Sequence, residues 1–218
     1  MKKAAAGFVA TVATVALAGT AQAQICAGYP TGDRGMYFGG RADFPENVSS
    51  FGVEANYNFS GPLGFYGGLN VISTDNDAAN DDSEDELFAG VAFELASLGL
   101  VVGRVSVCPV AELRNMDLGD DSYTEIPIGL GVGGGLGVPG VAVSGYVQPQ
   151  VVISQIDIGA VDETETNFGI KAGANIGFGL LSVGGEVRHL FISDTEDLIG
   201  AVPGRDETIF GIRFGIRL

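Results

Sequence analysis

From residue 36 to the last residue the chain repeats one pattern: apolar side chains at every second position, with glycine, small or charged residues between them. The closing stretch ETIFGIRFGIRL places Phe210, Ile212, Phe214, Ile216 and Leu218 on one face and Gly211, Arg213, Gly215 and Arg217 on the other. A period of two is the period of an extended chain, whose successive side chains point to opposite faces. Ten such runs are read at about 36–44, 51–59, 64–73, 86–96, 100–113, 125–137, 141–154, 166–178, 181–191 and 207–218. No helical period competes with them.

The connections alternate in length. The even-numbered ones are tight and carry turn residues: SGPL, SLG, VPG and GL. Four of the odd-numbered ones, TDNDAANDDSED, RNMDLGDDSYT, QIDIGAVDETE and ISDTEDLIGAVPGRD, are long and polar, while the first, PENVSS, is short. An up-and-down meander with its long loops at one end follows. Short turns at one end and long loops at the other mark transmembrane β-barrels, whose strands cross the bilayer in about 9 to 11 tilted residues. The fold class expected is therefore all-β, a closed antiparallel up-and-down transmembrane barrel of ten strands, with eight as the alternative.

A soluble up-and-down barrel would also alternate, with its oil turned inward. The polar face argues against it. A solvated exterior carries many Lys, Glu and Thr, whereas this face holds Gly129, Gly131, Gly133 and Gly135 in one run and Gly169, Gly173 and Gly177 in another. Small residues suit a crowded lumen and a strongly curved strand. Pro127 and Pro149 count mildly against strands, since each removes a ladder donor.

The N-terminus reads as an export signal: Lys2 and Lys3, an apolar run from Ala4 to Ala18, then Ala21-Gln22-Ala23 as a small-residue cleavage site. The expected organisation is a signal peptide at 1–23, an N-terminal periplasmic or plug segment at 24–35, and the barrel at 36–218. Nothing after the signal supplies 18 consecutive apolar residues for a spanning helix. Hydrophobic residues make up 46% and charged ones only 17%, a greasy balance for a secreted soluble domain. The net charge of −16 becomes −18 without Lys2 and Lys3, which excludes nucleic acid as a partner.

The whole mature chain resembles the small bacterial outer-membrane β-barrels of the OmpX and OmpA-domain type, and GGEVRHLF, an acidic loop and a closing strand are similar to the last hairpin of that family. Those relatives have eight strands. Phe210, Ile212, Phe214, Ile216 and Leu218 resemble the family's C-terminal assembly signal, which usually ends in Phe. The resemblance implies location in the outer membrane, contact with its lipid and lipopolysaccharide, recognition by the barrel assembly machinery, and a monomer.

Of the 27 acidic residues, 21 fall in the long-loop end as these boundaries draw it. They read as a solvated anionic rim. Weak capture of Ca²⁺ or Mg²⁺ there, with Asp75, Asp77, Asp81 and Asp82 as the candidates, is the functional reading. The spacing is not that of an EF-hand, and no resident cofactor is expected. Inward parity sets Arg41, Arg104, Lys171, Arg188, Arg213 and Arg217 against Asp43, Glu54, Glu94, Glu112 and Glu186. Buried charges need partners, so an ionic network filling the lumen is expected. A narrow water-filled passage is the alternative.

Two cysteines in an exported chain suggest a Cys26–Cys108 disulfide, which would draw residues 24–33 into the lumen as a plug. Two unpaired thiols are the other possibility. The sole histidine, His189, faces lipid near the outer rim by parity. Lipid A deacylases set a Ser two residues from such a His, and here that position is Phe191; omptin proteases pair their His with Asp, and here Arg188 is adjacent. The expected role is structural or surface-interacting rather than enzymatic. A small-solute channel is the second reading and a lipid-modifying enzyme the third.

Overall fold

The computed structural model describes residues 26–29, 36–45, 48–58, 62–74, 83–100, 103–118, 121–158, 161–191 and 208–218. The expected signal segment 1–23 and residues 24, 25 and 30–35 of the expected periplasmic or plug segment lie outside the described residues. So do the cation candidates Asp75, Asp77, Asp81 and Asp82.

The strands are β1 (Met36–Phe44), β2 (Val48–Asn58), β3 (Leu63–Thr74), β4 (Ser83–Phe93), β5 (Ala96–Gly99), β6 (Gly103–Leu118), β7 (Asp121–Val138), β8 (Val141–Ile158), β9 (Val161–Phe178), β10 (Leu181–Phe191) and β11 (Thr208–Arg217). Neighbours in sequence pair antiparallel around the ring, and β4 with β5 forms a single stave, because both pair with β6. The barrel therefore closes with ten staves. Closure runs through β1 and β11, from Tyr37 opposite Arg217 to Phe44 opposite Phe210. Met36 and Leu218 exchange backbone hydrogen bonds of 3.2 and 2.8 Å, so the chain ends on a paired strand with no open edge.

The outer face is apolar along every stave. Phe44, Phe168, Phe191 and Phe210 ring one end, and Tyr57, Phe65, Phe93 and Phe178 the other, each 42–60% exposed. Such girdles flank the apolar band of membrane barrels. Along β9, Phe168 and Phe178 are ten residues apart, about 34 Å at ~3.4 Å per residue and about 26 Å after a tilt of ~40°, the height of a bilayer band.

Three features depart from the sequence reading. The polar stretches expected as long loops at 114–124 and 155–165 are mostly strand: Asn115 lies opposite Thr124, with Asn115 Nδ2 donating to Thr124 Oγ1 at 3.0 Å, and Gln155 lies opposite Thr164. The ladder continues past the membrane band because these polar residues still satisfy strand pairing, and β6 to β9 rise as a taller wall. Second, the expected SLG turn belongs to β5, and the reversal is at Leu100–Gly103, whose backbones bond at 2.7 and 3.4 Å. The pairing with β6 steps by one residue between Ala92 and Ala96, and Leu95 and Ala96 both face outward, the mark of a β-bulge. Third, Pro127 and Pro149 sit in full strands. The β6–β7 ladder skips from Ala111–Ile128 to Arg114–Glu125, and the β7–β8 ladder from Gly129–Gln150 to Val132–Val147, so each missing donor falls at a local gap.

Candidate functional site

The inward face is where the sequence spends its charge. β1, β2, β4, β6, β9, β10 and β11 each aim ionisable side chains at a common centre, and Glu186 on β10 is the hub. Its Oε1 accepts from Arg41 Nη2 at 3.1 Å and lies 3.6 Å from Lys171 Nζ, while Oε2 accepts from Arg213 Nη2 at 2.6 Å and from the Tyr146 hydroxyl. The chain of charge extends both ways. Arg41 Nε donates to Asp43 at 2.6 Å, and Arg213 Nε lies 3.7 Å from Glu54. Lys171 Nζ stands 3.9 Å from Glu112, whose carboxylate takes the Arg114 Nε donation; Arg114 Nη1 reaches Glu86 at 3.3 Å, and Asn70 Nδ2 donates to Glu86 at 2.8 Å. These contacts cross from one wall to the other and form a transverse diaphragm.

The remaining expected members sit elsewhere. Arg104 pairs with Glu94 at 2.6 Å near the short-turn end, where it also donates to Ser97. Arg188 turns to Glu125 at 3.3 Å, and Glu125 accepts from the Tyr123 hydroxyl, whose oxygen lies 3.1 Å from Ser154 Oγ. Arg217 is at the short-turn rim and donates to the Gly179 carbonyl at 2.6 Å, apart from the diaphragm.

Glu86, Glu125 and Glu165 were counted with the outer rim in the sequence reading, and Arg114 was placed in a loop. All four are buried on inward faces. The signal was present: Arg114 shares the parity of Glu112, Glu86 that of Gly90 and Ala92, and Glu125 and Glu165 those of Gly129 and Gly169. Polar composition made those stretches look like loops.

An N-terminal segment occupies the lumen beside the diaphragm. Cys26 is disulfide-bonded to Cys108 on β6, and Cys26, Ala27, Tyr29 and Cys108 are almost fully buried in one cluster with Tyr37, Tyr66, Phe88, Ala92 and Val110. The Gly28 carbonyl accepts from Arg213 Nη1 at 2.5 Å and from Asn175 Nδ2 at 3.1 Å, and the Tyr29 ring lies under the Arg213 guanidinium at 4.9 Å. Glycine clears the seat. A Cβ on Gly131 would fall 2.5 Å from the Cys26 carbonyl oxygen, and one on Gly28, whose φ is +88°, would strike the Tyr146 ring. Ordinary side chains at either position would exclude the segment.

On the outer face, His189 is half-buried on the lipid side. Its Nδ1 is 2.8 Å from Thr208 Oγ1 on β11, and its ring meets the Phe191 ring edge-on at 4.5 Å. Among the described residues no group of three or more His, Cys, Asp or Glu side chains is placed to hold a metal ion.

No family model matches the chain, and no curated protein matches it in sequence. Solved structures match it by fold. LpxR from Salmonella typhimurium aligns with a TM-score of 0.51 at 11% identity, over 86% of this chain and 85% of its own. The outer membrane protease OmpT of Escherichia coli aligns at 0.41 and 8%, over 84% and 93%. Ail, the attachment invasion locus protein of Yersinia pestis, aligns at 0.23 and 11%, over 84% and 97%. At such identities the likeness speaks to the fold, that of outer-membrane β-barrels. The expectation that the chain is not an enzyme is not supported, because the fold it shares with LpxR, a lipid A deacylase, is one that an enzyme uses. Parity and a missing Ser or Asp beside His189 were too narrow a basis for it.

Replacing Glu186 with Gln leaves Arg41, Lys171 and Arg213 facing one another without their shared anion. Breaking a buried pair this way costs about 3–5 kcal/mol. Arg217→Ala at the rim removes one partly solvated hydrogen bond and costs about 1 kcal/mol or less. Urea unfolding of the barrel from lipid vesicles should rank the two variants in that order.

Proposed function

We propose that the protein is an outer-membrane barrel with a closed lumen, serving as a structural or surface-interaction element that presents the tall acidic wall of β6 to β9 above the bilayer. One observation carries this reading: a diaphragm of paired charges and a disulfide-anchored segment share the lumen and are joined where Arg213 bonds both Glu186 and the Gly28 carbonyl. In this reading its surroundings are outer-membrane lipid and lipopolysaccharide, it reaches them after signal-directed export through the barrel assembly machinery, and it works as a monomer. A closer kinship with the OmpX and OmpA-domain barrels sits poorly with ten staves. Planar-bilayer recording tests the reading. The native chain should give no reproducible single-channel steps, and a chain lacking residues 24–33 and carrying Cys108→Ser should give them; steps from the native chain favour a small-solute channel.

A second reading, a lipid-modifying enzyme, is favoured by the His189–Thr208 pair. A hydroxyl hydrogen-bonded to an imidazole at the lipid-facing outer rim is the arrangement from which a base can activate a nucleophile. Under this reading, expression in a host with lipopolysaccharide changes the acyl-chain masses of its lipid A, and His189→Asn abolishes the change. Identical masses with and without the protein remove it.

A further inference from the structure

We propose that the lumen holds one monovalent metal cation, Na⁺ or K⁺, against Glu54, where it completes the charge balance of the diaphragm. This goes beyond the closed-lumen reading and does not rest on it. Among the described residues the diaphragm sets five carboxylates, Asp43, Glu54, Glu86, Glu112 and Glu186, against four cations, Arg41, Arg114, Lys171 and Arg213, and all nine are buried. Asp43, Glu86, Glu112 and Glu186 each accept a hydrogen bond from an arginine. Glu54 does not. Neither of its oxygens has a hydrogen-bond partner among the described residues, and Arg213 Nε stands 3.7 Å from Oε1, beyond hydrogen-bond reach. That guanidinium is committed elsewhere, through Nη2 to Glu186 and through Nη1 to the Gly28 carbonyl.

The oxygens around Glu54 form a seat for such an ion. Its cross-strand partner is glycine on both sides, Gly39 on β1 and Gly68 on β3, so no side chain fills the flanks. The Tyr37 ring leans along β1 until its hydroxyl lies against the place of a Cβ on Gly39, beside Glu54. Asn70 on β3 donates Nδ2 to Glu86, which turns its Oδ1 over Gly52, two residues along β2 from Glu54. Asn56 lies two residues the other way on the same inward face, with neither end of its amide partnered. The Tyr37 hydroxyl, the side-chain carbonyl oxygens of Asn56 and Asn70 and both Glu54 oxygens thus have no hydrogen-bond partner among the described residues, in side chains only 1–3% exposed. Buried polar atoms are satisfied in folded proteins, and oxygen acceptors gathered around one carboxylate are satisfied by a hard cation. The charge count selects its valence. A monovalent ion brings the diaphragm from a net charge of −1 to zero, whereas a divalent ion overshoots to +1 beside Arg213 and lacks the several carboxylates it prefers.

The test uses the full-length exported protein, purified as the folded barrel in detergent, with choline chloride holding the ionic strength constant. Melting is followed as loss of the fast-migrating folded form on a gel. Replacing choline with Na⁺ or K⁺ should raise the melting midpoint saturably, by about 3 °C or more, because an ion bound only by the folded state stabilises it by mass action. Glu54→Gln keeps the shape and removes the charge, so its midpoint should be the same in choline, Na⁺ and K⁺. Asn56→Ala keeps the charge count, removes one oxygen, and should need at least tenfold more salt for half of the rise; it serves as the variant of record if Glu54→Gln does not fold. A native midpoint indifferent to both ions overturns the inference. So does a rise in Glu54→Gln equal to that of the native chain, which assigns the ion to the acidic rim, and so does a rise with Ca²⁺ or Mg²⁺ alone. Single-channel steps from the native chain would count against the closed lumen and leave the midpoint response standing, which keeps the two failures apart.

Discussion

A closed ring of backbone hydrogen bonds is the constraint from which the rest of the structure follows. In hydrocarbon an unpaired N–H or C=O has no water to turn to, so a sheet that crosses a bilayer must have no edge. The contacts between β1 and β11 close that ring, and the terminal backbone pair of Met36 and Leu218 completes it. Once the ring is closed, strand geometry sends alternate residues to two unlike media. The outer set is Phe, Leu, Ile and Val; the inner set mixes glycine, amide and charge with tyrosines and a few apolar side chains such as Phe88, Val110 and Met116.

The inner set faces a difficulty that the outer set does not. Six basic side chains, Arg41, Arg104, Arg114, Lys171, Arg188 and Arg213, are held away from solvent or nearly so, which is tolerated only where each finds an anion. Glu186 meets three of them, and Glu112 and Glu86 carry the same chain of pairs to the far wall. Glycines on the inward faces make room for this crowd and for the Cys26–Tyr29 segment. Filling and closure thus depend on each other: the ring sets the width, and the paired charges and the tethered segment use it up.

Much of this was legible in the sequence. The number of staves, the closing strand and the inward parity of Arg41, Glu54, Glu112, Lys171, Glu186 and Arg213 all follow from a period of two, which is a property of the extended backbone. What was not legible depends on pairing between distant segments. Asn115 and Thr124, or Gln155 and Thr164, look like loop residues alone and become strand only when set opposite each other. The bulge at Leu95–Ala96 turns on a one-residue step against β6, and nothing local in PVAELRN or FELASLG announces it. Arg188 has inward parity, but its partner Glu125 stands at the first position of the run 125–137, where the sequence counts it with the acidic rim. The outward pairing of His189 with Thr208 needs two strands that the sequence separates by an acidic loop.

The central claim is that the apolar face meets lipid tails and the charged face meets the barrel's own interior. The chain contains no tryptophan, so one introduced indole reports without background. In vesicles whose acyl chains carry bromine, fluorescence from Phe214→Trp, on the outer face of β11, should be strongly quenched, and fluorescence from Phe88→Trp, buried on the inner face of β4, should be unaffected. Quenching at the Phe88 position with none at the Phe214 position would contradict the account.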